Sequence, residues 1–194
     1  TEMLSPERYP VAGIEHEGVL SPDDVLGGAE VSDKVVIYDF DHYYMGSCLA
    51  ELLSTQGKKV TIVTTAAAVS AWTFMNNESA YIRERVIDLG VELRLEQLVT
   101  GFDGSKAETR SIYKGGASSE IECGTLIVVG ARAGNDGLYK ELAETAELES
   151  VRSIGDCSAP GAIVHADYSG HECARTLDSD GVSQPFLRER PALT

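Results

Sequence analysis

The sequence predicts an α/β fold built on a parallel sheet, and three observations carry that expectation. Val35-Val36-Ile37-Tyr38 and Val60-Thr61-Ile62-Val63-Thr64 are short continuous apolar runs of the kind buried on both faces. Stretches with apolar residues at helical spacing follow each run and end on Gly57 and Gly90. Three shorter β-like segments then precede another buried run, Thr125–Val129.

The first 32 residues are rich in turn signals and read as a connector, 1–32. Within it, Ser21 before Pro22 and two acids is the N-cap of one short helix, Asp23 to Leu26. From Lys34 the pattern becomes strand, helix (about His42 to Gln56, with Cys48, Leu49, Leu52 and Leu53 recurring), strand, helix (Asn77 to Leu89) and strand (Val91–Leu95). Short links between such elements imply right-handed crossovers. Gln97–Phe102, Glu108–Tyr113 and Ser119–Cys123, separated by Asp103-Gly104-Ser105 and Gly115-Gly116, predict an antiparallel meander. After Gly130 come a helix from Asp136 to Ala146, a short strand Val151–Ile154, and a final helix from about Ala162 to Leu177. The tail, with Pro185 and Pro191, is expected to lie on a neighbouring surface.

The 194 residues suggest one domain and a fraction of a second. A start at Thr1 rather than Met is read as a cut from something longer. Net charge is −15, with 31 acidic residues against 16 basic ones, which argues against nucleic acid or an anionic membrane as partner. Dispersed acids with few lysines also fit a salt-adapted, halophilic protein, beside the plainer case of a moderately acidic cytoplasmic one. No apolar run approaches the ~20 residues of a membrane span. Cys48, Cys123, Cys157 and Cys173 have no zinc or cluster spacing and read as reduced small hydrophobes.

A βαβαβ unit invites a dinucleotide fingerprint at its first turn, where glycines serve the turn, the pyrophosphate and helix packing. The three slots fall on Asp39, Asp41 and Tyr44. A carboxylate at Asp41 would face phosphate, and like charges ~4 Å apart cost on the order of 4 kcal/mol at an effective dielectric near 20. Tyr44 would block tight packing at the helix start. Thr64 and Thr65 stand where the ribose-binding acid belongs. Two readings stay open: an unrelated α/β domain, or a Rossmann-like NAD(P)-domain fold whose site has decayed. The meander favours the second, because two-dinucleotide-binding flavoenzymes insert one there. Either way, no NAD(P)H binding is expected.

Ile154-Gly155-Asp156 running into a helix looks like the second flavin-contact motif of disulfide-reductase-type flavoenzymes. Leu126-Ile127-Val128-Val129-Gly130 looks like the motif where the chain leaves the NAD domain. Val35 to Met45, Leu49-Ala50-Glu51, Lys59 to Val63, Ile154-Gly155-Asp156, Ala159-Pro160 and Gly170-His171 together resemble the C-terminal region of the trimethylamine dehydrogenase family. That family includes dimethylamine and histamine dehydrogenases and NADH:flavin oxidoreductase/dienoyl-CoA reductases. The resemblance spans roughly residues 10–190 and includes the missing glycines.

The resemblance implies an amine- or enoyl-oxidising flavoenzyme with a (β/α)₈ barrel carrying FMN, a 4Fe-4S cluster, and a pair of domains like the FAD and NADPH domains of glutathione reductase. It implies ADP or FAD in the FAD-like domain. Residues 33–130 would be the degenerate NADPH-like domain, and 131–194 the crossover and C-terminal part of a partial FAD-like domain. Gly130, Gly155 and Asp156 would be cofactor-binding positions of an incomplete site, so this chain alone is expected to hold no cofactor and to be structural or docking. Implied partners are the N-terminal barrel, an electron-acceptor protein and a second copy in a homo-oligomer.

Other chemistry weighs less. His165 and His171 are six apart and so point about 240° apart on a helix, which prevents convergence on a metal. His171 and Cys173, two apart, do not face each other. Trp72, Phe74 and Met75 read as local core or an interdomain contact. The enzyme alternative is a free-standing α/β module or metal-dependent hydrolase using Asp39 and Asp41 at the carboxyl edge of the sheet.

Overall fold

Val35, Val36, Ile37, Tyr38 and Asp39 of strand β2 (Lys34–Asp39) are all buried, so both faces of the strand are covered. Alternation decides by what. Val35 and Ile37 join Leu49, Leu53 and Val86 from helices α2 (Met45–Thr55) and α3 (Ser79–Asp88). Val36 and Tyr38 join Val99, Phe102 and Ala107 from β5 (Gln97–Phe102) and β6 (Lys106–Ser111). Strand β8 (Thr125–Val129) divides the same way, with Ile127 and Val129 on the helical side and Leu126 and Val128 on the other. The layers are therefore helices, a parallel sheet and an antiparallel meander.

The computed structural model describes residues 11–113, 115–145 and 148–177. Two units divide the chain, Glu2–Ala131 and Arg132–Thr194. In the first, β3 (Lys59–Thr64) and β4 (Glu92–Arg94) extend the sheet on one side of β2, and β8 lies on the other. Beyond β8 sits β1 (Val19–Leu20), giving the all-parallel order β1-β8-β2-β3-β4. Strand β7 (Ser118–Glu122) completes the meander β5-β6-β7, with Ala107 opposite Ile121.

Helix α1 (Pro22–Leu26) has the cap the sequence predicts. The Asp24 amide donates to Ser21 Oγ at 3.2 Å and the Ser21 amide donates back to Asp24 Oδ2 at 2.8 Å. The Ser21 hydroxyl, donating to Asp24 Oδ2 at 2.6 Å, and after it the Ser21 amide hold the Asp24 carboxyl below the usual carboxylate range.

Several boundaries differ from expectation, each for a local reason. Val19–Leu20 is a strand inside the segment read as a connector, because Val19 pairs with Leu126 and Leu20 with Ile127. Two residues are too few to show a period. Helix α2 starts at Met45 rather than near His42, because His42 is left-handed at φ 60°. Helix α3 starts at Ser79, after left-handed Asn77. Trp72, Phe74 and Met75 are not local core: they lie on a 3₁₀ turn, Ala71–Asn76, and are exposed.

The second unit contains α4 (Gly137–Ala143), a 3₁₀ turn at Gly155–Cys157 and α5 (Ile163–Arg175). Val151–Ile154 is not a strand. Ile154 is extended, but the segment has no partner strand among the described residues. The tail from residue 178 lies outside the described residues.

Among the described residues, no apolar side chain beyond Val129 is buried. The second unit is held instead by polar bonds. Arg152 donates through Nη1 to Thr176 Oγ1 at 2.8 Å and through Nη2 to Thr176 O at 2.9 Å. Hydrogen exchange depends on such differences in burial. Amides of β2, β3 and β8 should exchange orders of magnitude more slowly than those of α4 and α5, read by mass spectrometry. Equal protection in the two units would contradict this account of where the core lies.

Candidate functional site

The parallel sheet puts the first βα turn at its carboxyl edge, the place where open α/β sheets bind ligands. β2 ends there on Asp39, whose side chain is fully buried. The next two amides, of Phe40 and Asp41, donate to Val129 O at 2.8 and 3.1 Å, which bends the chain across the end of β8. The His42 amide then donates to Asp39 Oδ1 at 3.0 Å. Oδ2 of Asp39 is buried without a partner.

Gly46, in the first turn of α2, explains how the carboxyl fits. A Cβ at that position would lie 2.7 Å from Asp39 Cγ and 2.9 Å from Oδ2. The helix start thus closes on the carboxyl of β2, where a dinucleotide fold places pyrophosphate. The fingerprint count puts the packing glycine at position 44; the close approach is at Gly46. The side chain of Tyr44 turns aside instead: its hydroxyl donates to Glu78 Oε2 and accepts from Asn76 Nδ2 at 2.5 Å. The bond to Glu78 pushes the Tyr44 hydroxyl up to about 12.

A polar cluster surrounds this turn. His42 Nδ1 lies 3.1 Å from Oγ1 of buried Thr64, and Nε2 lies 3.4 Å from Thr65 Oγ1. Ser47 Oγ donates to Tyr44 O at 2.9 Å, and Ser70 Oγ donates to Ser47 Oγ at 3.0 Å. Burial holds the His42 imidazole below the usual histidine range, against the pull of Asp41. Burial first, then nearby Asp41, pushes the Asp39 carboxyl up to about 6, although the His42 and Asp41 amides oppose this.

Sequence reasoning identified Asp39, Asp41, Thr64 and Thr65 but missed His42, Ser47, Ser70 and Gly46. The one available signal for His42 was its place three residues after a strand-end acid, in a loop that needs a left-handed residue.

Gly130, Gly155 and Asp156 are not on one element. Gly130 follows β8, whereas Gly155 and Asp156 form the 3₁₀ turn of the second unit. Gly155 is left-handed at φ 59°, and its amide donates to Ser169 Oγ at 2.9 Å. Asp156 Oδ1 accepts from the Gly161 amide at 3.3 Å. Within that unit, a cleft of about 520 Å³ is lined by Arg152, Gly155, His165, Ser169, Glu172 and Cys173, among others.

The Asp39 carboxyl makes stability depend on pH. Its folded pKa, about 6, lies above the ordinary 3.8, so the folded state holds the proton more tightly. Its favourable contribution is complete below about pH 4 and is lost as pH rises through 6, a difference on the order of 3 kcal/mol. Asp39→Asn, which keeps the acceptor for His42, should therefore melt higher than the parent at pH 7.5, with the gap narrowing steadily below pH 6 and closing only below about pH 4. A gap that does not change with pH would remove Asp39 as its cause. Gly46→Ala should cost about 1–3 kcal/mol, because backbone and buried carboxyl must both shift; a neutral result in a chemical melt would show that the turn has slack.

Residues 20–128 match the family described as OYE-like second alpha/beta domain. The chain is 31% identical over 212 aligned positions to dimethylamine dehydrogenase of Hyphomicrobium sp. (strain x), covering 96% of itself and 29% of that protein. It is 39% identical to histamine dehydrogenase from Rhizobium sp. 4-9, with a TM-score of 0.80, over 88% of this chain and 28% of that one. A 6-hydroxypseudooxynicotine amine oxidase from Pseudomonas geniculata N1 gives 30% identity and a TM-score of 0.80, over 84% and 25%. The chain thus spans under a third of the length of each of these three relatives. With the family model covering more than half of its residues, it belongs to the OYE-like second alpha/beta domains, the C-terminal portion of trimethylamine dehydrogenase-type flavoenzymes.

Proposed function

We propose that the chain is the C-terminal region of an FMN- and 4Fe-4S-containing oxidoreductase that oxidises an amine in a barrel outside these residues. The names of the relatives support the substrate class: two are amine dehydrogenases and one is an amine oxidase. In this reading the first unit is a Rossmann-like domain retained as a structural or docking module. Its dinucleotide site no longer works.

One observation carries the last point. The place for pyrophosphate is filled by the protein's own buried carboxyl, with Gly46 closed over it. A phosphate entering there would meet an unpartnered carboxylate oxygen in a low-dielectric setting. The residues do not fit NAD(P)H. An ADP or FAD site with one edge in the second unit is supported by left-handed Gly155 and by Asp156, seven residues before α5. The rest of that pocket would come from polypeptide outside this chain. ADP or FAD would supply a buried nucleotide there, with Asp156 as a hydrogen-bond acceptor.

The hydrolase alternative is less favoured, because a fully buried Asp39 cannot reach a substrate. Titration of the chain with NADPH should give no saturable change at millimolar concentrations, and micromolar binding would refute the decayed site. The parent protein should show flavin and iron–sulfur absorbance and reduce an acceptor with an amine substrate. A colourless parent would refute the proposed enzyme class.

A further inference from the structure

Beside the buried turn, the 3₁₀ segment Ala71–Asn76 presents Trp72, Phe74 and Met75 at 62%, 76% and 80% exposure. Phe40 and Tyr43, on the neighbouring loop, are also exposed. None of these five side chains belongs to either core cluster, so the unit closes its interior without them. Several large apolar side chains left exposed along one short segment and the loop bonded to it are what an interaction site presents.

The ledge is held in place rather than left loose. Thr73, between the exposed residues, is fully buried and donates from Oγ1 to Ser70 O at 2.6 Å. The Trp72 amide donates to His42 O at 2.9 Å, and the Glu78 amide to Thr73 O at 3.1 Å. Ser70, Asn77 and His42 are all left-handed, at φ 49°, 65° and 60°. Three non-glycine residues therefore adopt a sparsely populated conformation around one small surface.

The charges select the kind of occupant. No Lys or Arg occurs in residues 39–57 or 60–82, and Glu78 is already engaged by Tyr44 and Asn76. Partners that exchange in solution are steered and registered by charge, whereas permanent interfaces are more apolar. A second copy of a chain with net charge −15 would meet strong repulsion. A tethered domain needs no steering, since its local concentration is fixed by the chain. The relatives carry about 70% of their length outside the part this chain matches.

We infer that the Trp72–Phe74–Met75 ledge is a permanent docking surface for the remainder of the same parent polypeptide. The inference rests on the proposal that the chain belongs to a longer flavoenzyme. It fixes which surface of this domain the rest of that enzyme covers.

Hydroxyl-radical footprinting of the 194-residue chain and of the flavin-loaded parent tests it. Oxidation of Trp72 and Met75 should fall several-fold in the parent. Equal reactivity in a parent that shows flavin absorbance overturns the ledge as an internal interface while leaving the enzyme class intact. Protection lost on dilution to monomer assigns the surface to a second copy and overturns the inference. Protection already present in the 194-residue chain assigns it to this chain's own residues, with the same consequence. A parent with no flavin band and no further polypeptide removes both the enzyme class and the occupant. As a second measurement, Phe74→Glu should leave the melting temperature of the chain unchanged and lower that of the parent by several degrees; no shift in either overturns the inference.

Discussion

The hydrogen bond from the His42 amide to the Asp39 carboxyl sets the geometry of the whole carboxyl edge of the sheet. To make it, the chain turns back within three residues of the end of β2, and His42 goes left-handed. That conformation aims the His42 ring at Thr64 on the next strand and its carbonyl at the Trp72 amide. One side-chain acceptor thus ties β2, β3, α2 and the 3₁₀ ledge together. The second carboxyl oxygen is left without a partner, and burying it is the main electrostatic cost of the arrangement. The sheet beneath, apolar on both faces, is what makes such a cost bearable in a marginally stable fold.

Much of the fold was legible because the sheet is buried on both faces. Val35 to Tyr38, Val60 to Thr64 and Thr125 to Val129 are short runs rich in β-branched and apolar residues, which read as parallel strands under cover, and they are. The meander was legible from its turn residues, with Asp103 accepting from the Ser105 and Lys106 amides as a turn acid should. Val19–Leu20 was hidden because a two-residue strand has no pattern of its own. Val151–Ile154 has the composition of a strand but no neighbour among the described residues, and a strand is defined by its partner. For Trp72, Phe74 and Met75 the sequence left local core and interdomain contact open, because large apolar side chains signal burial without saying against what; their exposure removes local core.

The site was half legible for a similar reason. Counting from the strand end shows which residues occupy the glycine slots, and hence that phosphate has lost its place. It does not show what fills the space. Asp39 and Gly46 are seven positions apart and meet only because α2 folds back across the end of β2. Ser47 and Ser70 meet across a longer interval. Such pairings belong to tertiary packing, which a motif search does not see.

The two units also differ in what they need. The first contains both core clusters and closes them with its own residues. The second buries no apolar side chain among its described residues, and Ile163 and Val164 at the start of α5 remain exposed. A 13-residue helix with no buried residue gains little from propensity alone. Bonds such as Arg152 to Thr176 each contribute on the order of 1–3 kcal/mol, too little to replace a core. The apolar start of α5 and the aromatic ledge of the first unit therefore raise the same physical demand in two places. Each is ordered surface whose hydrophobic area has no counterpart within its own unit, and burial against a further surface is what would offset that exposure.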